Sequence, residues 1–585
     1  MIGLFAVTAA GRRAAAELAG RLGPEALVAD GPIGPAVRRL WDHLDAAVLF
    51  LASGATIRLV APLLQDERTD PGIVSVDEAQ RFAIALTGGR GGAANALAEQ
   101  VADVLDCAPV VTTAPETTGT TALDELVEQL DATVDGDLPA CGAAILDGAP
   151  VGLVNPHGFP LPALPPNVGT EVVGPLWTVV IDDRRPSEQE ERTLRLIPRT
   201  LVVGVGSASG VSRTAVTETI ARLDSERGLD PRAIRAFATT DVKAEEAGIL
   251  DAVQDLGFWH SRDGGDELSL LTYPSEVLAG VAVPNPSEVV RREAGTPSVA
   301  EASALHAAAE LAYGAPVELV ADKIKGEGVT AAAARIRPRG RLALVGLGPG
   351  APDLRTPRAD AELRRASVVV GLDRHLDQVR HLLRPGTEER GTPLGADDAR
   401  AAEAVELAER GRAVALIGSG DAGVFAMASP ALEKADVDIE VVGVPGVTAA
   451  LSASALLGAP LGHDHALISL SDLHTPWEVI ERRIRAAAES DLVVCFYNPR
   501  SGNLHWQLGR ALEILAEHRP ATTPVGAVRQ ASRADQAVWC APITEFDPAD
   551  VDMLTTVVVG SSQSTVVGRR MVTPSGHRWM AGGAG

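Results

Sequence analysis

Residues 341–350 read Arg341-Leu342-Ala343-Leu344-Val345-Gly346-Leu347-Gly348-Pro349-Gly350. A short apolar run like this one reads as a buried strand, and it stops in a turn where missing side chains let backbone approach a ligand. A dinucleotide fingerprint would run straight on into a helix, but Pro349-Gly350-Ala351-Pro352-Asp353-Leu354 breaks the helix start, which disfavours a nicotinamide-binding domain. The theme recurs twice. Val414–Ile417 leads into Gly418-Ser419-Gly420-Asp421-Ala422-Gly423-Val424-Phe425, and Val441-Val442-Gly443-Val444 leads into Pro445-Gly446-Val447-Thr448-Ala449-Ala450. Three strands that each end in a small-residue loop predict an α/β layer with its binding edge at the strand ends.

The same alternation extends through the chain. Apolar runs such as Ala46–Leu51, Leu201–Val205 and Leu492–Phe496 are separated by longer Ala/Glu/Arg-rich stretches, so the expected class is multidomain α/β. At 585 residues and 46% hydrophobic content, the chain exceeds what one core organises. A boundary is expected near 339, where Arg335-Ile336-Arg337-Pro338-Arg339-Gly340 precedes a fresh strand. A second restart follows Arg199. Pro150 to Glu191 is dense in Gly and Pro and is expected to be irregular or an interdomain arm. The resulting division is 1–122, 123–198, 199–335 and 340–570, with 575–585 as a frayed tail.

Composition narrows the function classes. A net charge of −25 repels nucleic-acid backbones and anionic lipid surfaces, leaving small-molecule chemistry. The apolar start precedes Arg12 and Arg13, the reverse of a secretory signal, and no apolar run approaches the roughly 20 residues that span a bilayer. A cytoplasmic protein is expected, with no membrane partner. Cys107, Cys141, Cys495 and Cys540 form no CxxC, so neither a disulfide framework nor a protein-bound metal is expected.

The three loops, with Cys495-Phe496-Tyr497-Asn498-Pro499-Arg500 and Thr555-Thr556-Val557-Val558-Val559-Gly560, resemble the tetrapyrrole methyltransferase family, specifically the branch that methylates C17 of precorrin-3B and contracts the ring. The resemblance covers about residues 340 to 570. It implies two unequal α/β subdomains, S-adenosyl-L-methionine as cofactor, a tetrapyrrole substrate and a homodimer through this domain. On the matching positions it implies cofactor contacts from Pro349, Gly420, Asp421, Gly423, Val424, Phe425, Thr448, Ala449, Tyr497 and Thr556. Asn498 and His375 are candidates for substrate binding, and His375 also for acid/base work in ring contraction, although a surface or turn histidine is the plainer expectation. His463 and His465 read as turn residues and not as a metal site. The family's GDP is Gly420-Asp421-Ala422 here, which removes the fixed φ of proline.

Upstream, Leu49–Pro62, Gly88-Gly89-Arg90-Gly91-Gly92, Ala94–Ala98, Gly204–Gly210, Thr240–Glu246, Val283–Val289 and Gly295–Ala302 resemble the cobalamin-biosynthesis G family, the cobalt-precorrin-5A hydrolases. This implies lactone opening with release of acetaldehyde. That chemistry needs an activated water, donors for the developing oxyanion and cations for carboxylate side chains. Glu288, Lys243, Glu245 and Arg90 are the catalytic candidates and Arg58 a substrate-binding one. The sequence departs from the family where Arg90 replaces a histidine and Ser207-Ala208-Ser209 replaces Cys-Arg-Arg. A different macrocycle C-methyltransferase, with an N-terminal half that only binds tetrapyrrole, stays open at this point.

Overall fold

The computed structural model describes residues 1–65, 70–88, 93–112, 119–186, 191–262, 268–436, 438–473, 475–500 and 506–575. They form two compact units, Met1–Arg339 with Arg384–Gly386, and Gly340–Leu383 with Thr387–Gly585. Of the expected tail, residues 576–585 lie outside the described residues. No described helix is long and apolar enough to cross a membrane.

The first unit holds three sheets. In the first, Ile2–Ala6 is flanked by Ala26–Val28 and Ala46–Phe50, and all three run parallel. Gly72–Val76 continues the parallel order, and Phe82–Thr87 turns back antiparallel. The second sheet takes Ala132–Asp135, Thr193–Pro198, Trp177–Ile181, Val151–Val154 and Val168–Gly169 in that order. Three of these five strands come from the stretch read as irregular. Its Gly and Pro residues punctuate very short strands instead of abolishing them, and the Pro-rich crossing is pinned by Thr121 Oγ1 donating to Ala163 O at 2.6 Å and Gln129 Nε2 to Pro160 O at 3.0 Å.

In the third sheet, Leu201–Ser207 lies beside parallel Ile234–Thr240 and antiparallel Val329–Ile336. Side chains alternate across a strand. Val203 and Val205 enter a core with Val216 and Ile220, the buried face of a helix, Arg213–Arg227, that is capped by Ser212 accepting from Ala215 N and closed by left-handed Gly228. On the opposite face Gly204 meets the helix Val299–Leu311 so closely that an added Cβ would lie 1.9 Å from Ala300 O. This glycine serves helix packing, not a nucleotide loop.

An ionic seam ties the second and third sheets. Arg335 donates to both oxygens of Asp183 at 2.5 and 2.6 Å, and Thr200 Oγ1 donates to the same carboxylate at 2.7 Å. Burial alone would raise the Asp183 pKa, but hydrogen bonds from His157, Arg335 and Thr200 hold it well below the usual carboxylate range.

The second unit opens with a five-stranded parallel sheet in the order Glu388–Thr392, Val368–Leu372, Ala413–Gly418, Arg341–Gly346, Glu440–Val444. Ala401, Ala404, Val405 and Ala408 put one face of the helix Asp397–Glu409 onto it, at the 3.6-residue period of an amphipathic helix. A second, mixed sheet follows with His465–Ser469, Val493–Tyr497, Thr555–Val559, Pro524–Arg529 and Ala537–Pro542.

Candidate functional site

In the second unit the loops after three neighbouring parallel strands meet through backbone. Gly420 N donates to Gly348 O at 2.7 Å, and Gly348 N returns the bond to Gly420 O at 3.0 Å. A Cβ on Gly346 would sit 2.7 Å from Gly420 O, and one on Gly446 only 2.2 Å from the same oxygen. No Cβ fits at Gly346 or Gly446, and Gly420 takes a left-handed φ of 72°, which is why all three positions are glycine. Asp421 clamps the arrangement, its Oδ1 accepting from Gly423 N at 2.8 Å and its Oδ2 from Gly446 N at 3.0 Å. Beside this contact, a Cβ on buried Gly418 or on Gly443 would meet nothing within 4 Å, so backbone faces open space at the strand ends. A ligand can lie there directly on peptide groups.

Tyr497 closes one side. Its hydroxyl lies 2.6 Å from Thr448 Oγ1 and accepts from Ala450 N at 3.0 Å, taking the cap role at the helix Ala449–Leu457 that the Thr448 side chain leaves undone. Burial pushes the Tyr497 phenol up, so it stays protonated. Phe425 leans on this ring at 5.0 Å between centroids and is half exposed, with its φ at 51°. Asn498 also has a positive φ, 49°, and donates to Ser469 Oγ at 3.1 Å. Thr556 lies in the strand next to that of Tyr497. Pro349 O accepts from Arg533 Nε at 2.9 Å. His375, expected at a surface or turn, is buried in the first turn of the helix Asp373–Val379, and neither ring nitrogen has a partner among the described residues. Burial first, then the charges of Arg374, Arg533 and Arg400, push its pKa down to about 4.

The first unit gathers a different kind of site. Strands Leu201–Ser207, Ile234–Thr240 and Ser269–Tyr273 run parallel and release their loops at one edge. There Lys243 Nζ donates to Ser209 Oγ at 2.9 Å and to Glu246 Oε2 at 3.0 Å, while Glu246 Oε1 accepts from Gly210 N at 2.8 Å. The lysine therefore pairs with Glu246, not with exposed Glu245. Glu288 is 76% exposed on the first turn of a short helix, 4.0 Å from Arg291. Arg58 donates to Gly54 O, inside its own helix in the first sheet. Arg90 lies outside the described residues. Of the described candidates in this unit, only Lys243 is built into a polar cluster, and its partners Ser209 and Glu246 were quoted for the family pattern but not named as candidates.

Among the described residues one group, His157, Asp182 and Asp183, has the ligand types and spacing to hold a metal. Asp183 is already spent on Arg335 and Thr200, and hydrogen bonds to Asp182 and Asp183 push the His157 pKa up to about 9. A protonated imidazole donates and does not ligate, so the group belongs to the ionic seam.

Comparison with known proteins fits these two centres. Residues 35–116 match Cobalamin synthesis G N-terminal, 201–334 match Cobalamin synthesis G C-terminus, and 341–547 match Tetrapyrrole (Corrin/Porphyrin) Methylases. The chain is 43% identical over 242 residues to a probable cobalt-factor III C(17)-methyltransferase of Salmonella typhimurium, covering 40% of this chain and 99% of that relative. It is 40% identical over 236 residues to a precorrin-3B C(17)-methyltransferase of a Sinorhizobium species, covering 39% and 92% respectively. Among solved structures, the methyltransferase CobJ is 38% identical, with a TM-score of 0.38 and coverage of 40% of this chain and 100% of that one. The chain thus belongs to the Tetrapyrrole (Corrin/Porphyrin) Methylases through its second unit, and carries both Cobalamin synthesis G domains ahead of it.

Proposed function

We propose that the chain is a corrin-ring biosynthesis enzyme with two activities: C17 methylation with ring contraction of precorrin-3B or its cobalt form in the second unit, and lactone opening of cobalt-precorrin-5A in the first. The observation that carries the methyl-transfer reading is the side-chain-free cradle at Gly346, Gly420 and Gly446, clamped by Asp421 and walled by Tyr497. Open space beside Gly418 and Gly443 fits a ligand lying on backbone. S-adenosyl-L-methionine would supply an activated methyl group there.

The chain's own residues then position and enclose. Asp421 keeps two loops in register, and the Tyr497 hydroxyl holds Thr448 and the helix start behind them. Half-exposed Phe425 offers an aromatic face where a flat macrocycle can rest, shielding the reacting carbon from water. No protein nucleophile is required. The tetrapyrrole substrate follows from the family; the C17 position, the cobalt and a homodimer are finer parts of the proposal.

In the first unit the supporting observation is the Lys243, Glu246 and Ser209 cluster at the edge where three parallel strands of a mixed sheet end. Anaerobic incubation of the full chain with S-adenosyl-L-methionine and precorrin-3B, or its cobalt form, should yield a product heavier by one methyl group. A product mass equal to that of the substrate in both incubations overturns the methyl-transfer reading. Light scattering of the full chain checks the homodimer.

A further inference from the structure

We infer that Arg374 and Arg533 form an anion subsite beside the glycine cradle, where they take carboxylate side chains of the tetrapyrrole; the inference rests on the methyl-transfer reading above. Arg533 belongs to the turn between the antiparallel strands Pro524–Arg529 and Ala537–Pro542. Its Nε donates to Pro349 O at 2.9 Å, and a Cβ on Gly350 would lie 2.6 Å from the same nitrogen. The side chain therefore rests on bare backbone of the first glycine loop, one residue beyond the Gly348–Gly420 pairing. Arg374 comes to the same edge from another element. It lies in the first turn of the helix that follows Val368–Leu372, a strand running parallel beside Ala413–Gly418, whose own loop carries Gly420.

Both cations lack an anion. Asp and Glu outnumber Lys and Arg by 77 to 52 in the chain, so acidic partners are plentiful. Arg355, just after the first loop, pairs with Asp360, and Arg400 pairs with Asp397 at 2.6 Å. By contrast, the Arg374 guanidinium and the two terminal nitrogens of Arg533 have no partner among the described residues. Burial first, and then the charge of Arg374, pull the Arg533 pKa below the usual arginine range. Two cations that repel one another, with no carboxylate between them, are unfavourable unless a bound state supplies one.

The turn that carries Arg533 is fixed in advance. Gln530 and Ser532 take positive φ, 48° and 61°, and Ser532 N donates to Gln536 Oε1 at 2.7 Å. Ser532 Oγ lies 3.5 Å from Ser452 Oγ in the helix Ala449–Leu457, which starts at the cradle. Such backbone persists where its surroundings over-determine it, and a guanidinium already held in place loses less freedom on binding. Arg374 is exposed and Arg533 partly so, which leaves both within reach of a ligand arriving from solvent. A tetrapyrrole carries several carboxylates around a wide ring, whereas S-adenosyl-L-methionine carries one. Two unpaired guanidinia on separate elements match the former.

The test measures methyl transfer by the full chain at saturating S-adenosyl-L-methionine, against precorrin-3B or its cobalt form, whichever the wild type methylates. Arg374→Gln, at an exposed position with no side-chain bond to lose, should raise the tetrapyrrole KM about fivefold with kcat within about twofold, and Arg374→Glu should raise it about 50-fold. Arg533→Gln should raise it about tenfold, and Arg533→Lys, which restores the charge without the planar fork, should recover part of that loss. Affinity for S-adenosyl-L-methionine by titration calorimetry should stay within about twofold of wild type in every variant. An unchanged tetrapyrrole KM in Arg374→Glu overturns the subsite, as does cofactor binding that weakens in step with the tetrapyrrole, and either result leaves the methyl-transfer reading standing. If the wild-type chain transfers no methyl group, the methyl-transfer reading falls and takes the subsite with it.

Discussion

His157 in the first unit and His375 in the second are both withdrawn from solvent, and they titrate in opposite directions. His157 lies 2.9 Å from Asp182 and 3.6 Å from Asp183, and those carboxylates push it up to about 9. His375 is 5% exposed without a hydrogen-bond partner among the described residues, and burial with nearby arginines pushes it down to about 4. The difference extends to the sites. The first unit holds Asp183 inside by pairing it with Arg335, and gathers Lys243, Glu246 and Ser209 at one strand edge. The second builds its binding edge from peptide groups and uses a carboxylate, Asp421, as a clamp.

The most direct way to break this contrast is Gly446→Ala. Its Cβ would lie 2.2 Å from Gly420 O, backbone that cannot swing aside, so the second unit should lose upward of about 3 kcal/mol and methyl transfer should vanish. Acetaldehyde release should persist. A variant that still transfers methyl groups would show that the loops do not make the site through backbone contact.

The histidines predict opposite pH failures. His375 has a folded pKa below its unfolded value of 6.5, so between about 4 and 6.5 only the unfolded chain binds the proton. Stability from this group is complete above pH 6.5 and is lost as pH falls toward 4, by about 3 kcal/mol. His157 has a raised folded pKa, so its contribution is complete below pH 6.5 and is lost as pH rises through about 9, by a similar amount. Calorimetry of the full chain should show the second unit melting first in acid and the first unit melting first in alkali. His375→Leu should flatten the acid loss, and His157→Gln the alkaline one.

Tyr497→Phe sharpens the picture of the second unit. It removes the acceptor for Ala450 N and the partner of Thr448, for a cost of about 2 kcal/mol, and S-adenosyl-L-methionine binding by titration calorimetry should weaken about tenfold. Smallest is Lys243→Met, which strips Glu246 and Ser209 of a shared donor at a site only 13% exposed; about 1 kcal/mol of stability should be lost, with slower acetaldehyde release.

The glycine loops of the second unit were legible because a position that admits no Cβ can only be written as glycine, so the constraint stands in the sequence itself. Gly204 and Gly206 show the limit of that reading, since the same letter there records helix packing. The second sheet was hidden because strands as short as Val168–Gly169 carry no periodicity and sit among prolines. Glu301 lay in a stretch read for its family pattern, yet a carboxylate among alanines looks solvated until the helix Val299–Leu311 is placed and buries it. Glu245 and Glu246 are adjacent, and only the turn of the backbone decides which one meets Lys243. His375 misled for the same reason, because burial on a helix start depends on what packs above it.

The seam at Asp183 also sets an order of events during synthesis. Its guanidinium partner lies 152 positions further along the chain, on the last strand of the third sheet. While the ribosome is still making that stretch, the second sheet has its aspartate ready for burial with His157 but not yet Arg335 to meet it, and a buried ion that lacks a main partner of this kind costs about 3 to 5 kcal/mol. The second sheet therefore stays provisional until Arg335 emerges, and the second and third sheets become durable together. Nascent chains cut short of Arg335 should be cleaved by protease within the second sheet, whereas chains that extend past it should resist.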